Sequence, residues 1–175
     1  MNQIAKGKKT ADKIDSLYTK EKKQYAPDAY RMRFTSNHDE NSWNGTEYER
    51  LGDGSQAFAV LAFTFPGIPM IYSEQESAMN KRLRFFDKDT IPWGNYPLAS
   101  FYSKLTQLKK NSGLLAAGRQ IFVLLNLSPV KQTVELNGTD FTGEYTEIFS
   151  GVTKEWISGE KATLLPWQYC VFETR

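Results

Sequence analysis

Apolar residues recur along this chain with two different periods, and the change of period divides it. From Thr10 to Gln24, Ile14, Leu17 and Tyr18 stand at helical spacing among lysines and acids, which predicts a surface helix stopped by Ala26-Pro27. Arg31 to Asn37 carries aromatic, β-branched and long side chains that suit a pleated strand, and a polar loop marked by Gly45, Gly52 and Gly54 follows it to Ser55. Gln56 to Phe63 is apolar on nearly every side, the pattern of a buried helix that ends before Pro66-Gly67. Met70-Ile71-Tyr72, short and bounded by turn formers, predicts a buried parallel strand. Leu98, Phe101, Tyr102, Leu105 and Leu108, three and four residues apart, predict an amphipathic helix over Tyr96 to Lys110.

Beyond Gly118 the period becomes that of strands, over Gln120 to Leu127, Gln132 to Leu136, Glu144 to Phe149, Thr153 to Ile157 and Lys161 to Glu173. Asn137-Gly138, Ser150-Gly151 and Ser158-Gly159 between them are hairpin-type dipeptides, so a small antiparallel sheet or sandwich is expected. The fold class expected is α/β followed by all-β, with one unit over 1–114 and a second over 115–175, the change falling within 112–119. Two parallel strands and three helices cannot close a barrel, and an open pair leaves both edges uncovered, so the first unit reads as a piece completed by other strands or as marginally folded.

Composition narrows the function. The 40% hydrophobic and 14% aromatic content of 175 residues can bury a core, and 22 basic against 20 acidic residues leave no broad case for nucleic acid or a membrane surface. The lysines of 6–9 and 20–23 read as a solvated helix flank. Cys170, the sole cysteine, lies in apolar Tyr169-Cys170-Val171-Phe172 and reads as a small buried hydrophobe. Met1-Asn2-Gln3-Ile4 opens no apolar leader and no stretch reaches the length of a membrane span, so the chain as written is expected to be soluble and unexported.

Candidate chemistry concentrates in Phe34-Thr35-Ser36-Asn37-His38-Asp39-Glu40-Asn41, where a strand ends in the chain's one histidine, two acids and an amide. The C-terminal end of a strand is where β/α folds carry catalytic groups, because the loops vary there while the strands stay fixed. The plainer alternative is a polar strand exit whose carboxylates cap a turn or the next helix. A metal site at 38–41 lacks the spaced ligands of a closed set, and no phosphate-cradling glycine loop is present. Trp43, Tyr48 and Trp93 offer apolar faces for sugar stacking or for packing.

Phe34-Thr35-Ser36-Asn37-His38-Asp39 resembles the aromatic-x-x-x-His-Asp signature that closes the seventh barrel strand in the α-amylase family of glycoside hydrolases. Gly67-Ile68-Pro69-Met70-Ile71-Tyr72-Ser73-Glu74-Gln75-Glu76 is similar to that family's eighth-strand motif, and the segment ending in Leu165-Pro166-Trp167-Gln168-Tyr169 to its C-terminal β domain. The resemblance covers nearly the whole chain. It implies the last strands and helices of a TIM (β/α)8 barrel over 1–114 and an antiparallel β-sandwich over 115–175, both incomplete. It implies further that Asp39 stabilises the oxocarbenium-like transition state and that His38, Asn37 and Trp43 contact the sugar. A fixed carboxylate strengthens its hold on ring hydroxyls as positive charge develops, and one imidazole nitrogen can donate while the other is held.

The same family's nucleophile and general acid come from the fourth and fifth strands, which match nothing here; Glu40, Glu74, Glu76, Asp87 and Asp89 have no claim to replace them. Glu74 stands where the family has glycine, and the short 112–119 link stands where it has opening strands of the β domain, as an internal deletion would leave. The chain is therefore expected to be the C-terminal portion of an enzyme that cleaves α-1,4-glucosidic bonds in starch or maltooligosaccharides with retention, and to be inactive alone. Its partners would be the α-glucan and a missing N-terminal barrel segment. The alternatives are a non-catalytic glucan-binding module, using loop aromatics or Trp156 and Trp167, and an inert truncated remnant. No cofactor is implied, calcium in complete family members not being readable here. Those members are often secreted or periplasmic.

Overall fold

A computed structural model describes residues 1–73, 75–112 and 119–174. The N-terminal part comprises α1 (Asn2–Ala5), α2 (Asp12–Gln24), β1 (Met32–Arg33), α3 (Glu47–Leu51), α4 (Ser55–Thr64), β2 (Ile68–Pro69) and α5 (Ala99–Ser112). Strands β3 (Ile121–Leu125), β4 (Gln132–Leu136), β5 (Gly143–Glu147), β6 (Thr153–Trp156), β7 (Glu160–Leu164) and β8 (Tyr169–Glu173) follow. The expected boundary at 114/115 and most of the 112–119 link lie outside the described residues, as does Glu74.

β1 and β2 form a parallel pair with Met32 opposite Ile68 and Arg33 opposite Pro69. Each is shorter than, or shifted from, the expected strand. Arg31–Asn37 keeps only two paired residues because it has one neighbour, and Phe34 to Asn37 continue unpaired. The second pairing falls on Ile68–Pro69, with the Met70 amide donating a last bond to the Arg33 carbonyl at 2.8 Å. Met32 and Ile68 are exposed, leaving this small sheet uncovered on one side. On the other flank Arg33 forks onto Glu21 of α2 at 2.5 and 3.0 Å and holds that carboxyl below its ordinary range, while Tyr18 meets Phe65 edge-on. α2 buries no residue, as a helix of mostly polar positions should not.

Gly67 permits the close approach of the two strands. Its φ is +130°, and a Cβ there would stand 2.2 Å from the Arg31 carbonyl oxygen. Gly67→Ala is expected to cost about 2–4 kcal/mol in urea unfolding, from positive-φ strain added to a backbone clash that no side chain can relieve.

α4 is apolar all round because it is covered on two sides. Ala59, Val60 and Phe63 join Phe101, Tyr102, Leu105 and Leu108 of α5 and Val171 of β8 in one core. Ala57 and Phe58 pack with Ile4, Leu51 and Leu127 in another. Both cores take residues from before and after the expected boundary.

The C-terminal strands make a four-stranded antiparallel sheet in the order β3-β8-β5-β6 and a two-stranded antiparallel sheet of β4 and β7. Leu124, Tyr145, Trp156, Ala162, Leu164 and Phe172 from both sheets share a core. Two details differ from expectation. Lys161 to Glu173 is not one segment: Pro166, which has no amide proton, and Trp167, at φ +58°, turn the chain between β7 and β8. Only Ser150-Gly151 joins hydrogen-bonded neighbours, β5 and β6; the Asn137-Gly138 and Ser158-Gly159 turns carry the chain from one sheet to the other.

Candidate functional site

Past Arg33 the chain leaves the sheet, and after the unpaired Phe34 to Asn37 it enters a helical turn beginning with His38 and Asp39. Asn37 starts it: its Oδ1 accepts the Glu40 amide at 2.7 Å and its carbonyl accepts the Asn41 amide at 2.9 Å. The capping role that residue types alone left to the carboxylates thus falls to Asn37, whose Nδ2 remains the group it can offer a ligand. The turn widens to a π-helical turn over Glu40–Asn44 and stops at Gly45, at φ +110°. His38 and Asp39 project outward, their side chains 66% and 58% exposed and their Nε2 and Oδ2 atoms 3.6 Å apart.

Beneath them lies a buried polar floor. Glu47 Oε2 accepts the Thr35 hydroxyl at 2.9 Å and the Gln75 amide at 2.6 Å, and the same Gln75 nitrogen reaches Thr35 Oγ1 at 2.9 Å and the Tyr102 hydroxyl at 3.3 Å. Gln75 Oε1 accepts the Tyr72 amide at 2.7 Å, so the exits of both strands are fastened to one carboxylate. Arg50 runs alongside, donating to the carbonyls of Gly45 and Thr35 at 2.7 and 2.8 Å and standing 3.4 Å from Glu40. Burial raises the Glu47 carboxyl and the Tyr102 hydroxyl and pushes Tyr48 up to about 12.

The segment after the second strand is laced over the turn. Asn41 donates to the Lys81 carbonyl at 3.0 Å and accepts the Leu83 amide at 2.7 Å, and Ser42 donates to the Leu83 carbonyl at 2.7 Å. Lys81 grips Asp89 at 2.5 Å, and with the Arg84 and Thr90 amides holds it down at about 2. Between turn and segment opens a cleft of about 300 Å³ lined by His38, Ser42, Tyr72, Phe85, Asp87 and Asp89.

The structure therefore brings His38 to a cleft with Asp39 beside it, and Trp43 stands exposed on the same turn against Phe85 at 5.2 Å between ring centroids. Trp93 is exposed, and Tyr48 is half-buried with a hydroxyl that has no hydrogen-bond partner among the described residues. Side chains of 38–41 diverge, Glu40 toward Arg50 and Asn41 onto the backbone of 81–83, and no group of three potential ligands converges among the described residues. Two aromatic residues of the alternative binding reading are engaged elsewhere: Trp156 is buried in the shared core of the two sheets, and Trp167 lies over Gly54 and against Phe58. Cys170 is half-buried with its thiol raised by burial, fitting a packing role.

No family model matches the chain, and no curated protein does either. Solved structures do. A maltogenic α-amylase from Thermotoga neapolitana superposes at TM-score 0.79 with 18% identity, over 98% of this chain and 47% of that one. The fold is α-amylase-type. An α-amylase from Lactobacillus plantarum agrees at TM-score 0.72 and 20% identity, over 99% of this chain and 45% of that one. A γ-cyclodextrin glucanotransferase from alkalophilic Bacillus clarkii agrees at 0.70 and 15%, over 99% and 30%. The chain thus spans less than half the length of these α-amylase-type structures, and the resemblance read from its motifs holds for the fold of that part.

Glu47 gives the floor a pH signature. Its folded-state carboxyl titrates above the ordinary 4.5, chiefly because burial penalises the charge, so its contribution to stability falls as pH rises from about 4.5 through the raised value. Glu49 and Asp89 act oppositely. Held at about 2 by Arg82 and Lys81, they contribute stability above their ordinary carboxyl range and lose it as pH falls toward 2. Glu47→Gln is expected to flatten the decline of the urea midpoint above pH 4.5 while leaving the acid limb unchanged.

Proposed function

We propose that this chain is the C-terminal part of an α-amylase-type glycosidase that hydrolyses α-1,4-glucosidic bonds in starch or maltooligosaccharides, with 1–114 contributing to the barrel and 115–175 forming a β-sandwich domain. Asp39 is the carboxylate that stabilises the oxocarbenium-like transition state, and His38, Asn37 and Trp43 contact the sugar. The nucleophile and general acid come from a polypeptide segment outside this sequence.

The observation that carries this reading is the His38–Asp39 pair. It is exposed and side by side at the exit of a parallel strand, over a buried floor that fixes both strand ends, in a chain of α-amylase-type fold. The protein AmyP, similar in fold at TM-score 0.67 and 14% identity over 91% of this chain and 44% of that one, was crystallised with maltotriose, which supports a maltooligosaccharide ligand. The free edges of the two-stranded pair suit further parallel strands beside it, and the exposed Met32 and Ile68 suit a layer packed over that face.

The test is a maltoheptaose titration of the isotope-labelled chain followed by its proton–nitrogen and imidazole proton–carbon spectra. Saturable shifts at His38 and Asp39 are expected, weakened by Asp39→Ala. Unmoved signals at millimolar ligand would overturn the assignment of these residues to sugar binding.

A further inference from the structure

Two asparagines of this chain precede glycine, Asn44 and Asn137, and the fold sets them in opposite surroundings. In an Asn-Gly pair the backbone nitrogen of the glycine can attack the side-chain amide carbon of the asparagine, because the glycine has no β-carbon in the way and its backbone turns with little resistance. The fold decides whether that nitrogen is free to reach the carbon.

At Asn44 it is held off. Gly45 is buried where the π-helical turn ends, and its carbonyl accepts the guanidinium of buried Arg50 at 2.7 Å. The next amide, that of Thr46, donates to the Glu49 carboxylate at 2.7 Å. Glu49 and Arg82 close over the glycine, standing 2.8 and 3.0 Å from where a β-carbon would lie. Turning the Gly45 peptide plane toward the Asn44 side chain would strain all of these contacts.

At Asn137 the restraint is one exposed bond. Residues 137–140 are all exposed, and a β-carbon at Gly138 would meet nothing within 4 Å. The Gly138 amide donates to the hydroxyl of exposed Ser158 at 3.1 Å. The two sheet-to-sheet crossings thus lie side by side, with the Gly159 amide donating in return to the Leu136 carbonyl at 2.7 Å.

We infer that Asn137 is a site of spontaneous backbone modification through a cyclic imide with Gly138, and that the Ser158 hydroxyl restrains it. The Gly138 nitrogen forms a bond to Asn137 Cγ, the Cγ–Nδ2 bond breaks, and the proton lost by the Gly138 nitrogen departs with the amide group as ammonia. Water then opens the imide. Breaking the new nitrogen–Cγ bond leaves aspartate, whereas breaking the original peptide bond leaves isoaspartate, with the main chain routed through the side-chain carbon. The attacking nitrogen must give up its proton, and a neutral hydroxyl is too weak a base to keep it. The bond to Ser158 is therefore lost on the way to the imide, which slows the reaction. Either product adds a negative charge three residues before Asp140. Isoaspartate also lengthens the chain just after Leu136, which pairs with Glu160 at the end of β4.

The experiment keeps the folded chain at mildly alkaline pH and body temperature, and follows both Asn-Gly peptides by mass spectrometry and by methylation with an isoaspartyl methyltransferase. Asn137 is expected to convert to a mixture of aspartate and isoaspartate while Asn44 stays intact, and in denaturing urea the two should convert at similar rates. Ser158→Ala should speed the conversion of Asn137 by about 2–10-fold, the size of one exposed neutral hydrogen bond. In the isoaspartate form the amide signals of Gly138 and Gly159 should move while those of Val171 and Phe172 in the core stay in place. An intact Asn137 in the folded chain, or an Asn44 that converts as fast, would overturn the site. Aspartate without isoaspartate would replace the imide by direct hydrolysis and overturn the mechanism. An unchanged rate in Ser158→Ala would overturn the restraint.

Discussion

Arg50→Met is expected to destabilise the chain by about 3–5 kcal/mol in urea unfolding, the loss typical of removing one partner from a buried charge network. Arg50 is 4% exposed, and burial lowers its pKa against the opposing pull of Glu40, Glu47 and Glu49. Three acceptors depend on its guanidinium, the carbonyls of Gly45 and Thr35 and Asn2 Oδ1 at 3.3 Å, and the Glu40 carboxylate pairs with it as an ion at 3.4 Å. Glu40 Oε2 is buried with no hydrogen-bond partner among the described residues, and the guanidinium of Arg50 faces it at 3.4 Å, so removing Arg50 takes away a main part of its compensation. Methionine fills the stem but satisfies none of these groups. The effect should reach the surface as well, because Thr35 precedes His38 by three residues and Gly45 closes the turn that carries it. His38 and Asp39 resonances should broaden or split in the variant. Arg50→Lys should lose somewhat less, since an ammonium keeps the charge but cannot fork to both carbonyls. A loss under about 1 kcal/mol for Arg50→Met would mean that desolvation of the ions already offsets most of their attraction.

That network marks the limit of what the sequence discloses. Periodicity alone locates α2 and α5, the first from Ile14, Leu17 and Tyr18 at helical spacing among charges and the second from Leu98, Phe101, Tyr102, Leu105 and Leu108, and the switch to strand-like segments after Gly118 announces the antiparallel sheets. Strand lengths are less readable, because pairing needs a neighbour: Arg31–Asn37 has the residues of a long strand, but Phe34 onward has nothing to pair with. Glycine dipeptides announce turns without saying which strands they join, so two expected hairpins are sheet-to-sheet crossings. At the site, His38 and Asp39 stand out by type and by motif. Glu47, Arg50 and Gln75 do not, for they are polar residues in a stretch that reads as loop, and only tertiary contact buries them. One local signal was available. Thr46-x-x-Glu49 is a capping box, with the Thr46 hydroxyl on the Glu49 amide and the Glu49 carboxylate on the Thr46 amide, and it fixes the start of the helix from which Glu47 and Arg50 turn inward.

Asp39 carries the second large prediction, and its exposure determines the form. A carboxylate about 4 Å from a developing cation is worth about 1 kcal/mol in bulk water and about 4 kcal/mol at the intermediate dielectric of a protein cleft. With its side chain 58% exposed, Asp39 here is near the aqueous limit, and with the nucleophile and general acid proposed to lie outside this sequence the purified chain is expected to release no reducing sugar from maltoheptaose. In an assembly that encloses the cleft and turns over α-glucan, Asp39→Asn should lower kcat by about 10²–10³-fold with a much smaller change in KM, as befits an interaction that strengthens only when charge develops. The amide keeps the shape and much of the hydrogen bonding of the carboxylate, so the charge alone is tested. A raised KM with unchanged kcat would instead make Asp39 a ground-state sugar ligand, and turnover by the isolated chain that Asp39→Ala abolishes would show that a carboxylate pair within these 175 residues suffices for the chemistry. The contrast with Arg50 is physical: a buried guanidinium acts on the stability of the folded chain, whereas an exposed carboxylate in the proposed role would act only when substrate and surrounding walls exclude the water around it.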